Sequence, residues 1–139
     1  MRDLHSNIDV KPVISPQIGT DNTAMVGAII DIQGHESLEY IIATGTLADA
    51  DATFTVLLEE GDAANLSDAA AVADADLLGT EALASFTFAA DDKVFKLGYK
   101  GNKRYTRLTI TPAANTGNAP ISAVAVMEAL LAPTANPPA

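Results

Sequence analysis

The sequence predicts an all-β fold: an antiparallel β-sandwich, jelly-roll-like, with an extended N-terminal arm and a proline-rich C-terminal tail. Three observations predict it. Short runs rich in Val, Ile, Thr, Phe and Tyr recur along the chain, divided by turns rich in Gly, Asn and Asp. Within the runs apolar and polar residues alternate with the period of two that a half-buried strand requires. The long helical segments that a parallel α/β sheet needs between its strands are missing. With 139 residues, the chain suits one domain with a modest core. Its organisation reads as an arm over 1–22, a sandwich over 23–131 and a tail over 132–139.

In the arm, Ile8, Val10, Val13 and Ile14 are interrupted by Asp9, Lys11 and Pro12, and the prolines at 12 and 16 oppose both a helix and a central strand. The segment reads as an extended piece lying along a neighbour, or as plain disorder. Residues 23–32, TAMVGAIIDI, read as one strand. After a turn at Gln33-Gly34-His35, Leu38, Tyr40 and Ile42 share one face of the next. Thr53 to Glu60 follows, with Phe54, Val56 and Leu58 inward. Residues 63–78 are alanine-rich and read either as an irregular crossover with a short helical turn or as a loop and strand. Ala82 to Ala89 reads as a strand with Phe86 and Phe88 inward. A turn at Asp91-Asp92 leads to Val94–Tyr99, which bears Phe95 and Leu97. Lys100-Gly101-Asn102-Lys103 reads as a tight hairpin connection with positive φ at Gly101 and Asn102. Arg104 to Thr111 then turns Leu108 and Ile110 inward. Ile121 to Leu131 reads as a last strand or a short helix, with its Val content favouring a strand up to about Met127, and the tail APTANPPA reads as extended.

Composition excludes several functions. There is no cysteine, so disulfide frameworks, thiolate metal sites and cysteine nucleophiles are ruled out. No apolar run approaches the roughly 20 residues of a membrane helix, and no secretory leader is visible. His5 and His35 stand far apart with no metal-ligand spacing, and no serine lies in a G-x-S-x-G context. No phosphate-binding glycine loop occurs. An enzyme, a cofactor and a small-molecule substrate are therefore not expected. Asp49/Asp51 and Asp74/Asp76 form two D-A-D pairs, but neither has the spacing of a calcium loop, and they read as solvated acidic surface.

Charge is segregated. Between Pro12 and Asp92 lie fifteen acidic residues and no basic one, whereas Lys93 to Arg107 holds six basic residues and no acidic one. A chain of net charge -10 repels nucleic acid and anionic membranes, so neither is expected as a partner. The basic stretch marks a docking edge built from Tyr99, Lys100, Lys103, Arg104, Tyr105 and Arg107, since Tyr and Arg are the commonest interface anchors. The competing reading is a solvated hairpin whose cations pair internally with Asp91, Asp92 or other carboxylates. Ile8, Val10, Val13 and Ile14 are the expected contacts of the arm.

The stretch Gly98-Tyr99-Lys100-Gly101-Asn102-Lys103-Arg104-Tyr105-Thr106-Arg107-Leu108 resembles a segment of small accessory virion proteins of tailed bacteriophages. There a strand pair of the form gYkG-kRYvR precedes a Thr- and Gly-rich loop and a last strand bearing Ala and Val. Thr109–Pro112 and Ile121–Val126 fit that continuation, and the resemblance extends loosely over 23–127. It implies a capsid decoration, cement or head-spike-base protein. Such a protein binds the major capsid protein on the outer shell of the virion, is soluble in the host cytoplasm before assembly, and forms homo-oligomers, commonly trimers. A head–tail joining or tail-tube protein fits the same features. So does a host-surface or carbohydrate-binding module, which would show exposed aromatic side chains in loops.

Overall fold

In the computed structural model, which describes residues 3–130 and 134–136, two antiparallel sheets face each other across one core. In chain order the strands are β1 (Ile8–Gly19), β2 (Met25–Val26), β3 (Ile30–Asp31), β4 (His35–Thr44), β5 (Thr53–Gly61), β6 (Ala70–Ala71) and β7 (Leu77–Leu78). After a one-turn helix, α1 (Glu81–Ala84), come β8 (Phe86–Thr87), β9 (Val94–Tyr99), β10 (Tyr105–Ala113) and β11 (Ala119–Ala129). One sheet runs β1-β11-β4-β9-β7. The other runs β2-β10-β5-β6, with β3 also on β10 and β8 also on β5. The all-β sandwich expected from the sequence is the fold observed.

The alternation in the long strands places the core. Tyr40 and Ile42 of β4, Phe54, Val56 and Leu58 of β5, Leu97 of β9, Leu108 and Ile110 of β10, and Ile121 to Met127 of β11 at every second position are almost fully buried between the sheets. Phe54, Phe86 and Phe95 stack in sequence at 4.9 and 5.2 Å. One polar contact spans the core: the Tyr40 hydroxyl lies 2.7 Å from Oγ1 of Thr106, both residues being fully buried. Each hydroxyl satisfies the other, where an unpaired one would cost about 1–3 kcal/mol.

Four expectations are corrected. The segment expected as an arm is a strand of the sandwich. β1 pairs with β11 from Ile8↔Glu128 to Gly19↔Ala119, with irregularities between Pro12 and Gln17 that absorb the two prolines on an edge position. Val13 and Ile14 consequently enter the core and are not free to contact a neighbour. The stretch 23–32 forms two bridges, both on β10, because Gly27 leaves the ladder between them. Its amide donates to the Leu108 carbonyl, and a Cβ there would lie 2.5 Å from that oxygen.

β9 and β10 are not a hairpin: β9 lies in the first sheet and β10 in the second, so residues 100–104 turn the corner between sheets. Gly101 serves that corner by close approach, since a Cβ there would press on the Tyr99 ring, and neither Gly101 nor Asn102 has positive φ. Finally, the expected strand 82–89 is strand only at β8: Ala82–Ala84 belong to α1, and a turn follows Thr87. Thr80 caps the helix by accepting from the Leu83 amide. Glu81 and Ser85 accept the amides of Leu58 and Val56, closing the edge of β5. β8 ends at Thr87, so Phe88 stands outside the core at 41% exposure.

Residues 63–78 form an irregular crossover with one 3-10 turn at Asp74–Asp76. Much of the expected tail lies outside the described residues. Thr134, which is described, returns to the first strand through its amide to Ser6 O and its hydroxyl to Ile8 O. No helix among the described residues is long and apolar enough to cross a membrane.

Candidate docking surface

The basic residues singled out from the sequence lie where the sheets meet at one end, and three of them are neutralised within the chain. Arg107 and Glu59 are direct cross-strand partners on β10 and β5. The guanidinium donates from Nε and Nη2 to Glu59 Oε2 at 3.0 and 2.7 Å. Arg104 makes a two-pronged pair with Asp31 at 2.9 and 2.8 Å, and its guanidinium carbon lies 5.0 Å from the centre of the Tyr105 ring. This pairing holds the Asp31 carboxyl below its usual range. Lys103 Nζ reaches Asp62 at 2.5 Å. Tyr99 is buried, with its hydroxyl donating to Glu60 and accepting from the Lys103 amide; burial, reinforced by Glu60, raises its pKa. Lys100 keeps an exposed side chain while its amide donates to Asp76 O.

Lys103, Arg104 and Arg107 therefore meet the chain's own carboxylates, though Asp62, Asp31 and Glu59 and not Asp91 or Asp92. Around them the outer face of the second sheet is rich in threonine, with Val26 and Leu57 exposed beside it. Cross-strand rows there read Thr111–Thr55, Ala113–Thr53–Thr87 and Val26–Thr109–Leu57.

The outer face of the first sheet differs in kind. Since partners in register project to the same side, the residues opposite the buried ones of β11 can be read off as rows. One is Val10–Val126–Glu39–Gly98–Leu78, and the next is Pro12–Val124–Ile41–Lys96. A third is Ser122–Ala43–Val94, and Ile18–Pro120 continues toward the end of β1. Val94, Ile18, Leu78 and Val124 are 68%, 59%, 52% and 41% exposed. Ile8 and Val10, expected as arm contacts, are half-buried members of this face.

At one end the face dips into a groove of about 260 Å³ walled by Leu4, Ile8, Leu78 and Val126, with Glu39 and Glu128 at its border. Glu39 lies across Gly98, where a Cβ would come within 2.7 Å of its Oε2. Burial raises the Glu39 carboxyl above its ordinary value, and the charge of Lys96 opposes that only in part.

A hollow of about 480 Å³ elsewhere holds His35, whose Nε2 is 3.3 Å from Asp9 Oδ2, together with Lys11. Among the described residues no serine or threonine hydroxyl is hydrogen-bonded to that imidazole. Among the described residues no group of His, Asp and Glu could hold a metal ion. The Asp49 carboxylate is engaged by the amides of Asp51 and Thr116 and the Thr116 hydroxyl, which hold its pKa down.

Sequence reasoning weighed charge and so favoured the basic stretch. The apolar face was hidden because its residues are spread over five strands, and both parities of β4 and β11 carry apolar side chains. The available signal was that two-sided apolar pattern, which marks a strand covered on both faces.

No protein-family model matches the sequence, and no curated protein matches it. Solved structures match at low identity and with TM-scores below 0.5. Dimeric latent PorU from Porphyromonas gingivalis matches at TM-score 0.47 and 7% identity, over 88% of this chain and 12% of that one. The CBM22-1–GH10 modules of the Clostridium thermocellum endo-1,4-beta-D-xylanase Xyn10B match at 0.46 and 12%, over 90% and 27%. The SPBc2 prophage-derived protein YomS matches at 0.38 and 11%, over 86% and 94%. The chain thus spans well under two thirds of the first two proteins, and likenesses this distant say nothing of partner or ligand.

Proposed function

We propose that this protein is a non-catalytic docking module that binds the outer surface of an assembled phage capsid and stabilises the shell. The observation that carries the docking is the apolar outer face of the first sheet on a molecule of net charge -10. Exposed apolar rows bordered by charge are the usual mark of a protein-binding surface. The identity of the surface it meets rests on the sequence resemblance at 98–108. A protein that binds only the closed shell stabilises it by mass action and needs area, not an active site.

The test is cryo-electron microscopy of particles made by the genome that encodes the chain. Density on the outer shell at regular capsomer positions, with β4 and β11 turned to the shell, is the expected result. Density confined to the portal vertex or tail would move the assignment to a joining or tube protein, and absence from particles would overturn it.

A host-surface or carbohydrate-binding module is the second reading. It is favoured by a hollow of about 450 Å³ lined by Lys93, Val94 and Phe95, where the half-buried Phe95 ring can meet a sugar. Retention on insoluble polysaccharide that is lost in Phe95→Ala would support it.

A further inference from the structure

We propose that the groove around Glu39 receives an arginine side chain from the partner protein, as the specific anchor of the apolar face. This rests on the docking reading and adds the chemistry of the residue that enters. At about 260 Å³ the groove is smaller than the ~300–1,000 Å³ typical of small-molecule sites and suits a single side chain. Of its lining, Leu4, Ile8, Leu78 and Val126 are aliphatic and would pack along an arginine's methylene stem, with Asn7 and Ser37 beside them.

Its polar end is Glu39, whose carboxylate accepts no hydrogen bond and forms no ion pair among the described residues. Lys96, diagonal to it on β9, acts on it only through its charge. The other carboxylate, Glu128, takes only a long bond of 3.4 Å from the Ser37 hydroxyl. A partly buried anion in this groove, with no hydrogen-bonded or ion-paired cation among the described residues, while Arg104 and Arg107 are each paired, is complementary to an incoming cation. A guanidinium suits it better than an ammonium. It is planar and weakly hydrated, and its fork of donors matches a carboxylate.

The experiment is a 1H–15N and methyl NMR titration of the full chain with N-acetyl-arginine amide in 150 mM salt, beside the neutral isostere N-acetyl-citrulline amide. Shifts gathered on Leu4, Ile8, Glu39, Leu78 and Val126 are expected with arginine and not with citrulline. Glu39→Gln, which keeps the shape, should weaken binding at least fivefold, whereas Asp74→Asn on the distant acidic surface should not. Equal response to citrulline, shifts scattered over the acidic surface, or unchanged affinity in Glu39→Gln would each overturn the anchor. Particle binding by Val124→Lys separates the two ideas. If Val124→Lys abolishes it while arginine amide shows no local site, the docking face stands and the arginine anchor falls. If Val124→Lys binds particles normally, the docking reading itself fails.

Discussion

The two outer faces of the sandwich are built from the same kind of strand and treat charge in opposite ways. On the second sheet Arg107 meets Glu59 across the β10–β5 ladder and Arg104 meets Asp31, amid threonines. On the first sheet Glu39, in the same row as Val10, Val126 and Leu78, has no hydrogen-bond or ion-pair partner among the described residues. A face with its charges already matched gains little from a partner, because any new ion pair must displace an existing one. A face with exposed aliphatic rows gains about 25 cal/mol for each Å² it removes from water. The difference teaches that the density of basic residues in a sequence is a weaker guide to docking than whether those residues keep free hydrogen-bonding capacity once folded.

The strongest way to break this comparison is to remove β1, which lends Ile8 and Val10 to the apolar face and Val13 and Ile14 to the core. Ile14→Ala is expected to cost about 2–5 kcal/mol, the usual range for an aliphatic side chain deleted from a packed interior. Deleting residues 1–15 is expected to unfold the domain. Urea denaturation followed by circular dichroism checks both. A truncated chain of unchanged stability would restore the arm and dissolve the first sheet's outer face as described.

The next largest effect separates the faces directly. Val124→Lys places a charge at the centre of the apolar rows and is expected to weaken binding to particles at least tenfold, about 1.4 kcal/mol, with little change in Tm because the side chain is already 41% exposed. Arg107→Glu sets two glutamates against each other across β10 and β5. It is expected to lower stability while leaving particle affinity within twofold. Co-sedimentation with particles measures the first quantity and thermal unfolding the second; the reverse pattern would return the docking role to the basic stretch.

A smaller effect lies within the paired face itself. Glu59 and Arg107 are about one quarter exposed, so a double-mutant cycle with Glu59→Gln and Arg107→Gln should give a coupling of about 0.5–1 kcal/mol, shrinking in 1 M salt. A coupling of zero would mean that the cations of this face are free after all.

How far the sequence foretold this arrangement depends on the range of the interactions. The inward faces of β4, β5 and β10 were legible because Leu38-Tyr40-Ile42, Phe54-Val56-Leu58 and Leu108-Ile110 recur at every second position, a local period that survives the apolar Ile41 and Leu57 on the other parity. The sheet to which each strand belongs was not. Gly98 to Arg104 has the composition of a hairpin, and only the pairing of β9 with β4 and of β10 with β5 shows it to be a corner. β1 was obscured by Pro12 and Pro16, which weaken any local strand signal but are tolerated at a sheet edge. Helix α1 was missed because its stability lies in what Glu81 and Ser85 do for β5, more than 20 residues away in sequence. The candidate docking face failed to show for the same reason: Val10, Ile41, Val94 and Val124 become one surface only after register is known.

The faintest difference between the faces should appear in their pH dependence, where the signs are opposite. Glu39 has its carboxyl raised above the ordinary 4.5 by burial, so the folded chain holds this proton more tightly than the unfolded chain does. The stability contributed by that proton is fully present below the unfolded value and is lost as pH rises through the folded one. Asp31 has its carboxyl lowered below the ordinary 3.8 by the Arg104 pair. Its contribution is present above the unfolded value and is lost as pH falls through the folded one. Tm followed from pH 7 to pH 3 should therefore contain a small rise just above the ordinary glutamate range that is missing in Glu39→Gln. Farther down, it should contain a fall that is reduced in Asp31→Asn. Because Glu39→Gln removes the charge at every pH, it should also raise Tm slightly at pH 7, the expected cost of keeping an unpaired carboxylate on an apolar face. A Tm at pH 7 that falls in Glu39→Gln would mean that Lys96 already satisfies this carboxylate, and that the two faces treat their charges alike.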